Sequence, residues 1–217
     1  MKPRPPESLG LATIEDHDLE DEATYRRLEF VGMDLSGRSA QSVEFEQCRL
    51  RSNVDMGGTT LARAMFTDCL IEHSNVANLR VEKSGMLRVQ LSVLRMTGVH
   101  WIDGSWRDVM VSECRADLSS FRFSDLQNVT FDGCNLTRAD FQNADVSGVQ
   151  FLNCDLSGAQ FSHATMESTR FSNCVLAGIG GVTSFAGAIV ASHDLAGLAY
   201  SLAAALDIRI EGAGDGD

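Results

Sequence analysis

Every fifth residue from Met56 to Leu176 is apolar, twenty-five positions in succession. In a chain that is 44% apolar, chance yields such a run with a probability on the order of 10⁻⁹. The series opens Met56, Leu61, Phe66, Ile71 and closes Phe161, Met166, Phe171, Leu176. Two residues before each member stands a second, mostly small series, running from Val54, Thr59 and Ala64 to Cys174, with Leu79, Leu94 and Val89 as bulky exceptions. A period of five is neither the 3.6 of a helix nor the 2 of a flat strand. It suits a short extended segment followed by a turn, with one large and one small side chain inward and three outward. The residue two after each large one must then turn the chain. Eleven of these twenty-five positions are Gly or Asn: Gly58, Asn78, Gly98, Asn128, Gly133, Asn143, Gly148, Asn153, Gly158, Asn173 and Gly178. Those residues accept the positive φ of a type II-like turn at least cost.

A longer period states how the units close. Cys114, Cys134, Cys154 and Cys174 are 20 apart, as are Phe121, Phe141 and Phe161, then Phe131, Phe151 and Phe171, then Leu136, Leu156 and Leu176. Twenty residues are four units, which predicts a square coil whose storeys stack like on like at about 4.8 Å.

The segments CNLTR (134–138), ADFQN (139–143), ADVSG (144–148) and CDLSG (154–158) closely resemble the A(D/N)LXX consensus of the pentapeptide-repeat family. The resemblance covers residues 23 to 178. It implies an all-β solenoid, a right-handed quadrilateral β-helix, here followed by a C-terminal α-helix cap.

The register slips once. Ala23/Tyr25, Leu28/Phe30, Met33/Leu35, Val43/Phe45 and Cys48/Leu50 obey the same rule one residue out of phase, with Arg38/Ala40 a poor unit between. One extra residue therefore enters within 51–55 (RSNVD), read as a bulge or small corner loop. Both phases together make 31 units, near eight coils, or a rod of about 37 Å. The middle is irregular: Trp101 and Trp106 stand where Leu or Phe is usual, and Gly104 is expected to make room for Trp106. Local repacking in a swollen coil is the reading adopted.

Three regions follow: an N-terminal lead (1–22), the β-helix (23–178) and a C-terminal segment (179–217). Residues 1–12 are polar and proline-bearing, expected to be disordered, and 13–22 (TIEDHDLEDE) are acidic. Residues 179–191 read as a loop. After Ser192 a helical run places Leu195, Leu198, Leu202 and Leu206 on one stripe. Ile208 and Ile210 suit a short strand before the polar tail EGAGDGD. The helix would cover the open end of the last coil. In family members that act on topoisomerases, a similar segment joins two rods. The resemblance thus implies a homodimer in which Leu195, Leu198, Tyr200, Leu202 and Leu206 divide between capping and a two-fold interface.

Catalytic chemistry is not evident. All six cysteines (Cys48, Cys69, Cys114, Cys134, Cys154, Cys174) occupy the small inward position without zinc-ligand spacing, and they read as structural thiols. The five histidines fall on different faces or outside the coils. No Ser/His/Asp grouping or phosphate loop occurs, so no enzyme, cofactor or metal is expected. No apolar run approaches the roughly 18 residues needed to cross a membrane. The first residues lack the apolar stretch of a secretory signal, which points to a cytoplasmic protein.

Net charge is −12, against direct nucleic-acid binding and in favour of a basic partner. The charge is uneven: residues 30–100 are net +1, whereas residues 101–176 are net −5. Asp117, Asp125, Asp132, Asp140, Asp145, Asp155 and Glu167 are the candidate acidic surface. A rod of roughly duplex width carrying spaced carboxylates suits a basic DNA-binding saddle. Similarity to Qnr- and MfpA-type family members implies a non-enzymatic DNA mimic that binds a type II topoisomerase, DNA gyrase or topoisomerase IV, and protects it from quinolones or other poisons. The alternative is a scaffold for another protein, with outward Leu118 and Phe123 as a contact patch.

Overall fold

The computed structural model describes residues 8–15 and 17–209. Its strands are short and pair only in parallel, each with the segment one coil away. Phe131 pairs with Phe151 and Phe151 with Phe171, each 20 residues on. Thr60–Ala62 pairs with Arg80–Glu82, and that with His100–Ile102. The result is a parallel-strand solenoid of about nine turns ending in one short helix.

Four faces follow from the pairing, named here by their inward residues. Face 1 carries Met56, Val76, Met96, Ala116, Leu136, Leu156 and Leu176. Face 2 carries Leu61, Val81, Trp101, Phe121, Phe141 and Phe161. Face 3 carries Phe66, Met86, Trp106, Leu126, Val146 and Met166. Face 4 carries Ile71, Leu91, Val111, Phe131, Phe151 and Phe171. All of these residues are buried. Chain order makes faces 1 and 3 opposite.

All twenty-five corner positions from Gly58 to Gly178 have positive φ. Gly and Asn fill eleven as expected; the other fourteen accept φ between 47° and 62°, including Val93 at 52° and Phe123 at 59°. That is uncommon for L side chains and worst for a β-branched one. The cooperative stack imposes the geometry even where local preference opposes it.

The corners come in two kinds, distinguished by what accepts the N–H of the small inward residue. Some close on themselves: the carbonyls of Leu136, Phe141 and Phe161 accept the N–H groups of Ala139, Ala144 and Ala164 at 2.9, 3.1 and 3.0 Å. There alanine suffices. Open corners leave that N–H without a local acceptor, and a buried orphan amide is costly. The acceptor comes from the next coil: Ala64 N–H donates to Ser84 Oγ (2.8 Å), Leu94 N–H to Cys114 Sγ (3.4 Å) and Gly104 N–H to Ser124 Oγ (3.3 Å). The thiols in turn donate backwards, Cys134 to the Val111 carbonyl, Cys154 to that of Phe131 and Cys174 to that of Phe151. All six cysteines are buried and unbridged. The thiol of Cys134, and then burial, push Cys114 and Cys154 up, while the thiols of Cys114 and Cys154 hold Cys134 down.

Aromatic rings fill the interior. Phe121, Phe141 and Phe161 stack at 5.0 Å between successive centroids. Phe131, Phe151, Phe171 and Phe185 stack at 5.3, 5.1 and 5.3 Å. The two columns meet edge to face, as ring quadrupoles prefer.

The extra residue falls within 51–55 as expected. Above it Arg49 pairs with Leu70, 21 positions on, while Asp55 pairs with Asn75, 20 on. Ser52 and Asn53 are consecutive left-handed residues, φ 56° and 69°, and this double turn absorbs the insertion.

Several expectations are corrected. Gly104 accommodates Trp101, not Trp106: a Cβ there would lie 2.2 Å from Trp101 Nε1 and 2.8 Å from the Ser84 carbonyl. The stack also extends beyond 23–178, which accounts for nine turns rather than eight. Gly10–Leu11 pairs with Leu28–Glu29, and Ala12 and Leu19 are buried against the first coil. The described part of the lead therefore packs on the first storey. At the other end, Ile189–Val190 pairs with Arg170–Phe171, and Phe185 continues the ring column, so 179–191 is a contracted coil rather than a free loop. The predicted helix is shorter, a 3₁₀ turn at Leu195–Leu198 followed by α-helix at Ala199–Ala205. Ile208 is not in a strand. Ile210 and the tail lie outside the described residues.

An apolar cavity of about 30 Å³ is lined by Val76, Leu79, Leu94, Met96, Val99, Trp101 and their neighbours. The bulky exceptions Leu79 and Leu94 line it together with both indoles.

Candidate protein-interaction surface

Several repeat aspartates have a local duty. One residue before the large inward position, the carboxylate accepts the backbone N–H two residues on. Asp140 caps Gln142 at 2.9 Å, Asp145 caps Ser147 at 3.0 Å and Asp155 caps Ser157 at 2.9 Å. This Asx turn is the physical reason for Asp or Asn at that place in the repeat. One carboxylate oxygen serves the corner, and the charge remains on the outside.

The seven candidate acids are distributed over all four faces. Face 3 gathers three of them: Asp125 and Asp145 are ladder neighbours, and Glu167 lies on the same face. Asp103 and Asp108, at the corners flanking face 3, enlarge this set and were missed because a linear list does not show which acids share a face. Counting along four columns of 20 would have found them. Asn128 donates to Asp108. Arg107 is the base on the face itself among residues 105–167, and Lys83 and Arg88 stand one storey below Asp103 and Asp108 on the same corner columns, Arg88 close enough to act on the Asp108 carboxyl.

The other four candidates are engaged elsewhere. On face 1, Asp117 accepts the Thr97 hydroxyl at 2.7 Å and Arg115 Nε at 3.0 Å. Burial pushes its carboxyl up, but these two bonds outweigh that and hold it below the ordinary value. Asp155 is on the same face. Asp140 on face 2 is 3.8 Å from Arg122 Nε. Asp132 on face 4 accepts Asn153 Nδ2 at 2.7 Å. Face 3 holds three of the seven candidates, and the other four lie on faces 1, 2 and 4.

The five C-terminal residues also divide. Leu198 is buried in the core, beside Gly197, whose Cβ would touch Leu176 at 3.4–3.5 Å. Leu195, Tyr200, Leu202 and Leu206 are exposed, Tyr200 and Leu206 by 72% and 71%. Leu118 and Phe123 are each 53% exposed on successive corners, and Arg122 lies over the Phe123 ring at 5.5 Å.

Five-residue steps, left-handed corners and 20-residue ladders define a pentapeptide-repeat β-solenoid, a class of protein that presents surfaces rather than a catalytic cleft. Residues 104–180, 77 of the 217, match the family described as "Pentapeptide repeat region". No curated protein matches the chain. Among solved structures it is similar to a trypsin-treated variant of QnrB1, a plasmid-mediated fluoroquinolone resistance protein, at 14% identity over 87% of this chain and 100% of that one, TM-score 0.34. It is similar to full-length QnrB1 at 17% identity, 83% and 99% coverage, TM-score 0.31. It is also similar to HetL, a pentapeptide repeat protein involved in heterocyst differentiation regulation from the cyanobacterium Nostoc, at 17% identity, 78% and 85% coverage, TM-score 0.28. The fold assignment rests on the chain's own ladders.

Proposed function

We propose that this protein is a non-enzymatic DNA mimic, working in the cytoplasm, that occupies the basic DNA-binding saddle of a type II topoisomerase, DNA gyrase or topoisomerase IV, and so modulates it or shields it from quinolone-type poisons. The observation that carries the reading is the clustering of Asp103, Asp108, Asp125, Asp145 and Glu167 along one face of the solenoid and its corners. Carboxylates fixed on a rigid scaffold present a field like that of phosphates, without the entropy cost of ordering them on binding. Two rods joined end to end through Leu195, Tyr200, Leu202 and Leu206 would double the length of that face, with Leu198 closing each core.

The test is a gyrase supercoiling assay with and without a quinolone. The purified protein should inhibit supercoiling or reduce drug-stabilised cleavage, less so as salt rises. The double variant Asp125→Lys/Asp145→Lys should lose at least tenfold in potency while keeping its fold. Neither inhibition nor drug relief by the unaltered protein would end the reading.

A second reading has its own support: Leu118 and Phe123 are bulky apolar residues held exposed at φ 59°, where Gly or Asn is cheaper. They suit a scaffold that docks an apolar segment of another protein. Loss of partner capture by Leu118→Asn/Phe123→Asn, with topoisomerase absent from the captured material, would select it.

A further inference from the structure

Along face 1 one outward column runs Asp34, Asp55, Asn75, Arg95, Arg115, Asn135, Asp155, Val175, paired storey to storey. Five of these side chains cap their own corner. Asp34 accepts the Ser36 N–H (3.0 Å), Asp55 that of Gly57 (2.7 Å), Asn75 that of Ala77 (3.1 Å), Asn135 that of Thr137 (3.0 Å) and Asp155 that of Ser157 (2.9 Å). At Arg95 and Arg115 the acceptor is replaced by a cation that can only donate. The Thr97 N–H, which Asn or Asp at 95 would cap, has no acceptor among the described residues.

The surroundings favour an external oxyanion. A surface groove of about 500 Å³ is lined by Val93, Leu94, Arg95, Thr97, Glu113 and Arg115. Arg95 makes no ion pair among the described residues. Arg115 is bound through Nε to Asp117 yet remains 69% exposed. Asp117 also holds the Thr97 hydroxyl, leaving the Thr97 amide as the unfilled donor. Val93 borders the groove as a β-branched residue at φ 52°, a strain that an ordinary corner residue would relieve.

The geometry points to an oxyanion-binding site on face 1, opposite the acidic face, in which a carboxylate or phosphate accepts the Thr97 N–H and pairs with the guanidinium groups of Arg95 and Arg115. The ligand would replace the side-chain oxygen that Asp or Asn supplies in five other storeys of this column. Guanidinium forks match both planar and tetrahedral oxyanions, and Glu113 on the rim sets a limit on how much negative charge the groove admits. The site stands whether or not a topoisomerase is the partner.

The experiment is an amide NMR titration of the full chain with inorganic phosphate and, separately, with glutarate, at constant ionic strength set by chloride. Saturable movement of the Thr97 amide with either ion supports the site, and which ion binds more tightly separates tetrahedral from planar ligands. The discriminating variant is Arg95→Asn, which restores the repeat's own cap. It should raise the thermal midpoint of the ligand-free protein and reduce the anion response at least fivefold. An unmoved Thr97 amide with both ions, or an equal response in Arg95→Asn, would overturn the proposal.

Discussion

Asp194 Oδ2 accepts the backbone N–H of Cys174 at 3.0 Å, from a position 20 residues further along the chain. It thereby takes the place that a serine or cysteine of one more coil would occupy, as Ser84 does for Ala64 and Cys114 for Leu94. The carboxylate is buried, and His193 Nε2 lies 3.2 Å from its other oxygen. The final storey is thus completed by a side chain after the repeat has ended, which leaves the last open corner satisfied.

Asp194→Ala should therefore orphan a buried amide and destabilise the protein by about 1–3 kcal/mol. Asp194→Ser, able to reproduce the coil's own bond, should cost less. Urea midpoints of the two variants check this; equal losses would mean that the bond with Cys174 is not what Asp194 supplies.

Gly104→Ala should destabilise by about 1–3 kcal/mol, because the added methyl meets the Trp101 indole and the Ser84 carbonyl together. Tryptophan fluorescence should shift as Trp101 is displaced. An alanine variant with unchanged emission and stability would contradict the packing described.

Val76→Leu should stabilise. The added methylene projects into the 30 Å³ cavity, and leucine is what the same face carries at 136, 156 and 176. A gain of up to about 0.8 kcal/mol corresponds to one buried methylene, read from the denaturation midpoint.

Acid should weaken the first coils. The Arg51 guanidinium bonds Glu29 at 2.6 and 3.2 Å and holds its carboxyl below the ordinary value. Asp34 is held down by the Ser36 hydroxyl and N–H. For groups depressed in the folded state, the stabilisation is complete above the unfolded carboxylate range and is lost as pH falls through the folded values. The urea midpoint should be level from about pH 7 to 5 and fall below about pH 4, with a shallower fall in Glu29→Gln.

The coil was legible in the sequence because a solenoid repeats its contacts at fixed spacing, so inward residues, corners and the insertion at 51–55 all follow from counting. The positive φ at Val93 or Phe123 follows from register alone and could not come from the residue's own preference. The Asx role of the repeat aspartates was not visible, since spacing does not say which N–H a carboxylate accepts.

What the sequence by itself determined is the five-residue step, the four-step coil and the inward columns, since each is a local periodicity that burial of apolar side chains converts directly into shape. Only the tertiary structure decided which N–H each repeat aspartate accepts, that Gly104 serves Trp101, and how Asp194 and Leu198 finish the last storey. Those relations join residues whose separation carries no repeat signal or whose partners are chosen by stacking, so they exist only once the coils have closed on one another.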